Sequence, residues 1–490
     1  MIPSGWEAVI GLEVHVHLKT RSKLFCGCAV EYGDEPNHHV CPVCLALPGA
    51  LPVLNGAAVE LAVRAALATH CKVHSRSVYA RKNYFYPDLP KGYQISQLDH
   101  PLANGGHVEI VVEPPAGGEP ELRRIGLTRI HMEEDAGKSI HDDALAGPGV
   151  TLIDLNRTSV PLIEIVSEPD LRSPEEVGAY LRSLRDILRY VGASDVDMEK
   201  GQFRCDVNVS VRRVGETALG TRREMKNVNS FRAAENGARA EIARQIEELE
   251  DGLEIQQSTL RYDFESDRLS TMRIKENADD YRYFPDPDLV PVLIDESRIE
   301  EIRAALPELP EARRARVADQ YGLSEYDARL LTASRPLADF FEEAARIHGD
   351  AKTVANWISR DVLGALKEHD LEIEECALEP AALAGLLRLV DESRVTPRSA
   401  RDLVPDLVRE GGDPEALVRE RGLEAVSDTG ELEALADAVL AENPQAVASF
   451  HEGDGKSLNF LMGQVMRKTG GKADARAVRG LLERKLSGGR

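Results

Sequence analysis

The chain has 490 residues, enough for about two to four domains. Hydrophobic residues make up 42% and charged residues 29%, an ordinary globular balance, and the formal charge of −23 excludes a protein whose whole surface coats nucleic acid. No run reaches the ~20 apolar residues of a membrane span, the N-terminus shows no secretory signal, and seven cysteines with uneven spacing are no disulfide scaffold. The expectation is a cytoplasmic protein with no membrane partner.

In chain order, the first element is a strand from Ile10 to Leu18. Leu12, Val14, Val16 and Leu18 fall on one face, and Glu13, His15 and His17 on the other. Next come Cys26-x-Cys28 and, after twelve residues, Cys41-x-x-Cys44. Four closely spaced thiolates suit tetrahedral Zn²⁺ and leave no open position for water, so the expected site is structural. His38 and His39 lie between the pairs and could replace a thiolate. A weaker strand from Ile125 to Glu134 delivers His131 and Glu133 to one side and ends in Glu133-Glu134.

A helix follows Ser173, which can cap it, with Pro174 in the first turn and Glu176 completing a capping box. Its apolar stripe runs from Val177 to Val191, and Gly192 stops it. The strand from Arg204 to Val211 points Cys205, Val207, Val209 and Val211 one way and Arg204, Asp206, Asn208 and Ser210 the other. Glu224 and Lys226 fit a further strand, and a charged helix covers about 232–249. After Pro291 the pattern becomes helical, with Val354, Trp357, Ile358, Val362 and Leu366 on one stripe. Gly411-Gly412-Asp413-Pro414 reads as a boundary. From Gly455 to the end there are nine Lys/Arg against two Asp/Glu, so charge is segregated and the tail is the place for a phosphate-rich partner. Strands first and helices after indicate an α+β fold.

No phosphate-binding loop ending Gly-Lys-Ser/Thr is present. Gly137-Lys138-Ser139 and Gly455-Lys456-Ser457 lack the upstream glycine, having Met132 and Phe450 there. Strand faces carry Glu13, His15, Glu133, Glu134, Asp206 and Glu224 instead. Taken singly, each reads as a solvent-facing residue. Together they would make an oxygen-rich site of the kind Mg²⁺ favours when it bridges to substrate phosphates.

Several long segments carry a resemblance: Ile10–His15, Arg81–Asp88, Tyr93–Gln97, His131–Lys138, Ile153–Arg157 running to Pro161–Ile165, Asp280–Pro285 and, in the tail, Phe460–Met466. The chain resembles the B subunit of the bacterial aspartyl/glutamyl-tRNA amidotransferase. The resemblance implies a glutamine-synthetase-like antiparallel-sheet catalytic domain over 1–293 with the zinc knuckle at 26–44. A helical domain over 294–411 and a tRNA-binding helical tail over 412–490 would follow. It implies that ATP phosphorylates the side-chain carboxylate of Glu or Asp misacylated on tRNA(Gln) or tRNA(Asn). Ammonia from a glutaminase A subunit then yields the amide, and a small C subunit clasps the two.

On that resemblance Glu13 and His15, Glu133 and Glu134, and Asp206 and Glu224 are the catalytic Mg²⁺ ligands. Lys82, Arg157, Arg204 and Lys226 steady phosphate or the tRNA acceptor end. Arg467, Lys468, Lys472, Arg476, Arg479, Arg484 and Lys485 form the basic strip for tRNA. The four cysteines are not constant in the family, in keeping with a structural role. A self-sufficient glutamine-hydrolysing enzyme would need a nucleophilic Cys with a His partner or a Ser-rich amidase stretch, and neither is visible. A plain scaffold would leave the acidic strand faces unexplained, and a glutamine synthetase acting on free glutamate would leave the basic tail unexplained.

Overall fold

Period-two alternation shapes the first strand, β1 (Trp6–His17): Leu12, Val14 and Val16 are enclosed, whereas Glu13, His15 and His17 are half-buried on the opposite face. The structure is a computed structural model describing residues 2–112, 118, 120–141, 144, 147–228, 230–263, 268–274, 281–425, 429–451, 455–469, 473 and 475–487; at 227, 273–274, 429–431 and 475–476 it describes the backbone alone. Among these, the chain divides into two compact units, Met1–Leu309 and Pro310–Arg490.

Six further strands frame the site: β2 (Ala80–Asn83), β3 (Tyr93–Ser96), β4 (Glu121–Glu134), β5 (Pro161–Ser167), β6 (Phe203–Arg213) and β7 (Arg223–Val228). Among the described residues β1 lies inside a ten-stranded sheet, where the order β7-β6-β1-β5-β4 forms the middle and every one of these pairings is antiparallel. Beyond β7, Ser258–Asp263 pairs with it in parallel. β2 and β3 form a separate antiparallel hairpin, and Phe284–Pro285 adds to the β2 edge.

The two faces of the sheet differ, as an antiparallel sheet permits. One face buries Leu12, Val14, Val16, Ile130, Met132, Ile163, Ile165, Cys205, Val207 and Val209 in a single cluster. Helices α1 (Gly56–Ala68), α2 (Pro174–Tyr190) and α3 (Phe231–Glu250) contribute to that cluster. In α2, Leu181, Leu184 and Leu188 are fully buried, worth roughly 1.5–3 kcal/mol each. Ser173 caps α2 by accepting from the Glu176 amide at 3.2 Å, as its sequence predicts. Glu176 reaches back one residue further than a capping box requires, accepting from the Arg172 amide at 2.8 Å.

Among the described residues the second unit is helical throughout its regular elements and holds two hydrophobic clusters, one drawn from Val317 to Val418 and one from Leu432 to Leu486. The predicted stripe Val354, Trp357, Ile358, Val362 and Leu366 is buried in the first. A π-helical turn at Ile358–Val362 joins Ala351–Trp357 to Leu363–His369 and keeps that stripe facing inward. The fold is therefore α+β, a large mainly antiparallel sheet followed by helices. No described helix is long and apolar enough to cross a membrane.

Candidate active site

The polar face of the sheet is built by register. Opposite residues of antiparallel strands share a face, so His131 of β4, Glu164 of β5, His15 of β1 and Arg204 of β6 form one row across four strands. The neighbouring row places Asp206 beside Glu13, and Glu224 stands opposite Asn208 on the next strand out.

Two groups of metal-ligand type result. The carboxylates of Glu13, Asp206 and Glu224 have oxygens within 4.8 Å of one another, and His15, Glu133 and Glu164 do the same with one imidazole nitrogen. Three oxygens suit a hard cation such as Mg²⁺, and two oxygens with one nitrogen suit Mg²⁺ or Mn²⁺. Glu13 is pushed up, first by burial and then by the carboxylates of Glu164, Glu224 and Asp206, so a cation there would relieve real repulsion. Beside it lies a cavity of about 210 Å³ whose walls include Gly11, Glu13, Asn208, Ser210 and Arg222.

Glu164 was not among the residues the sequence singled out. It sits in the run Pro161-Leu162-Ile163-Glu164-Ile165, where a lone carboxylate among buried apolar residues demands a partner. Its Oε2 lies 3.3 Å from both His15 Nε2 and His131 Nε2. Burial opposes charge on His131, but Glu164 and Glu133 outweigh it and raise this imidazole to about 9. Glu133 accepts from Ser96 Oγ at 2.5 Å and Gln94 Nε2 at 3.1 Å, so the hairpin of β2 and β3 walls this group.

Glu134 belongs to neither group. Adjacent strand residues point to opposite faces, and its carboxylate accepts instead from Lys91, from the Ile95 amide at 2.9 Å and from Ser159.

The four expected cations fall at three places. Lys226 Nζ lies 2.5 Å from both Asp206 Oδ2 and Glu224 Oε1. Arg204 Nη2 and Arg157 Nε meet the buried Asp135 at 2.8 and 3.4 Å, and His17 Nε2 joins them at 2.6 Å. Burial works against ionising Asp135, yet the two guanidinium groups and His17 hold it well below the carboxylate range. Lys82, largely enclosed, faces Glu133 and Glu164, which keep it charged against the cost of burial.

Cys26, Cys28, Cys41 and Cys44 also converge, all four sulfurs lying within 4.8 Å of one another and Cys41 and Cys44 at 3.9 Å. Zinc–sulfur bonds of ~2.3 Å require sulfurs about 3.8 Å apart, so the set fits zinc. The Cys44 thiol is held down, first by its hydrogen bond with Cys26 and further by the fully buried Lys23, whose Nζ is 3.8 Å away. His39 turns to Asp34 rather than to the sulfurs. The knuckle is tied to the Arg157 segment: Asn37 N donates to Asp154 Oδ1 at 3.1 Å and His39 N to Asn156 Oδ1 at 2.8 Å.

In the tail, Arg467 and Arg484 are exposed. Lys468 pairs with Glu442 at 2.6 Å, Arg479 with Glu483 at 3.1 Å and Lys485 with Asp437 at 2.7 Å. Lys472 lies outside the described residues, and Arg476 is described by its backbone in the helix Ala475–Ser487.

Comparison with known proteins completes the picture. Residues 8–300 match the family model described as the GatB/GatE catalytic domain, and residues 339–486 match the one described as the GatB domain. A protein of Carboxydothermus hydrogenoformans is 52% identical over 482 residues, covering 98% of this chain and 99% of that one. A protein of Geotalea daltonii is 52% identical over 486 residues, covering 99% and 100%. One of Geobacter sulfurreducens is 50% identical over 484 residues, covering 99% and 100%. Each of the three carries the name of the B subunit of an aspartyl/glutamyl-tRNA(Asn/Gln) amidotransferase.

Proposed function

The chain belongs to the family of aspartyl/glutamyl-tRNA(Asn/Gln) amidotransferase B subunits, ligase-type amidotransferases, and on that premise we propose that it activates and amidates the side-chain carboxylate of Glu or Asp misacylated on tRNA(Gln) or tRNA(Asn). ATP is the phosphoryl donor. A glutaminase A subunit supplies ammonia, a small C subunit completes the enzyme, and the whole works in the cytoplasm. The observation that carries this reading is the pair of ligand groups side by side on one sheet face with cations beside each.

The chemistry explains why such a face is needed. A carboxylate is a poor acyl electrophile because its leaving group would be oxide. Transfer of the γ-phosphoryl group to a side-chain oxygen gives an acyl phosphate and ADP. Ammonia then attacks the carbonyl carbon, phosphate leaves with the bonding electrons, and one proton from nitrogen is released. Phosphoryl transfer gathers negative charge from ATP and carboxylate in one place, so positioning and neutralisation dominate. Glu13, Asp206 and Glu224 would hold one Mg²⁺ and His15, Glu133 and Glu164 a second ion; when bound, these ions supply charge neutralisation on the phosphates.

The chain's own cations do the rest. Lys226 stands at the first group and Lys82 at the second, each placed to meet phosphate oxygens. Asp135 and His17 hold Arg157 and Arg204 in fixed orientation beside them. The hairpin of β2 and β3 holds the Glu133 carboxylate in place through Gln94 and Ser96. Zinc at the four cysteines is structural, bracing the segment that carries Arg157. Glu134, in its buried contact with Lys91, is a positioning residue. The tail over 412–490 supplies the tRNA contact, through phosphate neutralisation by Arg467, Arg484 and their basic neighbours.

The test is an amidation assay on misacylated tRNA. The chain with its A and C partners should convert Glu-tRNA or Asp-tRNA with ammonia or glutamine, only when ATP is present. Ammonia release from glutamine by the chain alone, or amidation of free glutamate, would overturn the reading.

A further inference from the structure

Aromatic residues form only 5% of the chain, yet seven gather at one place. Tyr84, Phe85 and Tyr86 begin the loop that joins β2 to β3, Tyr93 opens β3, and Tyr281, Tyr283 and Phe284 pass along the free edge of β2. The two stretches are stitched together by Phe284 pairing opposite Arg81 and by the Asn83 amide donating to the Tyr281 carbonyl at 2.9 Å. Tyr84 meets Tyr281 edge to face at 6.1 Å between ring centres, and Tyr281 meets Tyr283 at 6.3 Å.

Cations interleave with these rings. The Arg81 guanidinium lies 4.2 Å from the Tyr93 ring centre and 5.8 Å from that of Phe284, and Lys82 Nζ lies 4.9 Å from Tyr281. The acids nearby are already engaged: Asp286 and Asp288 share Arg81, Glu134 pairs with Lys91, and Asp135 with Arg157 and Arg204. Asp88 accepts from Ser139 Oγ at 3.1 Å, and Lys138 beside it is exposed. Lys138 and the ring faces, rather than an excess of positive charge, are what this surface offers a partner.

Two rings are presented outward rather than packed. Phe85 is 89% exposed, the most exposed large apolar side chain described, and Tyr86 is 62% exposed. Neither hangs loose. The Tyr84 amide donates to Gly92 O at 3.2 Å, the Leu89 amide to Tyr86 O at 3.0 Å and the Gly137 amide to Asp88 O at 2.8 Å, which braces the loop on the segment following Glu134. Gly92 has φ +72°, and a Cβ there would come within 3.1 Å of the Phe85 ring, so the ring rests against bare backbone with its remaining surface open.

We propose that this loop tip is a stacking platform for the unpaired 3′ end of the tRNA acceptor, with Phe85 and Tyr86 taking the faces of its last bases. The inference rests on the function proposed above and names how its RNA substrate is held at the site. Aromatic rings interleaved with cations are the recurrent means of gripping single-stranded nucleic acid, because every base offers a π face. The hairpin strands that end in this tip also supply Lys82, Gln94 and Ser96 to the Glu133 group. Bases stacked at the tip would therefore bring the attached aminoacyl group to those side chains.

The experiment uses the assembled complex with its A and C subunits and a minihelix ending in unpaired CCA, with 2-aminopurine replacing the terminal adenine. The wild type should quench the fluorophore on binding. Phe85→Ala and Tyr86→Ala should each reduce the quench and weaken binding roughly 5- to 150-fold, the range of one lost base–aromatic stack. Phe85→Trp should restore both. Quenching and affinity equal to wild type in both alanine variants would overturn the platform, as would loss of subunit association, since the tip would then be a protein–protein contact. Wild-type amidation of misacylated tRNA is measured alongside. Its absence sinks the proposed function, whereas its presence with unaffected alanine variants sinks the platform alone.

Discussion

Lys226 occupies the place between Asp206 and Glu224 where a divalent ion would be held, and its removal should expose how strongly ion and ammonium compete. Its Nζ donates to both carboxylates at 2.5 Å. A charge-assisted hydrogen bond contributes about 1.5–3 kcal/mol, so two give roughly 3–6 kcal/mol. The lysine side chain is 38% exposed, and solvent screening reduces that to about 1.5–3 kcal/mol. An ion entering this group must displace those contacts. Lys226→Met keeps most of the aliphatic stem and removes the charge. Mn²⁺ affinity at this group, measured by calorimetry without ATP and assigned by its loss in Asp206→Asn, should rise roughly 10- to 150-fold. Affinity that stays constant or falls would show that the ammonium assists the ion, and the competition argument would fail.

Three further outcomes are expected. Glu164→Gln should abolish one class of Mn²⁺ site, lower ammonia-dependent amidation by at least about 100-fold and cost about 3 kcal/mol in denaturant unfolding, because the buried His131 and the half-buried His15 lose their shared carboxylate. Cys26→Ser with Cys44→Ser should eliminate zinc from the purified chain by elemental analysis and speed proteolysis of the 20–50 loop, while retained zinc would refute the four-sulfur site. Deleting residues 426–490 should weaken tRNA binding and flatten its salt dependence while the complex still hydrolyses ATP; unchanged affinity would remove the tail from the interface. The cut belongs there because Leu432, Ala436 and Val439 share a core with Leu461, Leu481 and Leu482, and a break near residue 452 would split it.

The parts of the site legible in the sequence were those announced by alternation. Glu13 and His15 in β1 and Asp206 in β6 stand on polar faces of strands whose other face is apolar, and the structure brings them together with Glu224 and Lys226 of β7, a strand without that clean alternation. Glu164 was not legible that way, since both neighbours and most of β5 are buried and the strand reads as continuously apolar. The buried carboxylate itself was the available signal. Glu133-Glu134 shows the converse difficulty: adjacency in sequence suggests partnership, yet the pleat sends them to different surroundings. The four cysteines were legible from spacing alone, because a short loop gives their sulfurs few ways to avoid one another. Pairing of Arg157 and Arg204 with Asp135 needed three distant segments and left no local trace.

The row from His131 through Glu164 and His15 to Arg204 has a consequence for how errors in folding would be felt. Each member comes from a different strand, and alignment among them depends on hydrogen-bonded register alone. Slippage by one position in any of those strands would turn the charged groups into the apolar core and put valine or isoleucine among the polar groups. The greasy underside thus acts as a proofreader for the reactive upper surface: a misaligned chain forfeits apolar burial before any substrate is involved.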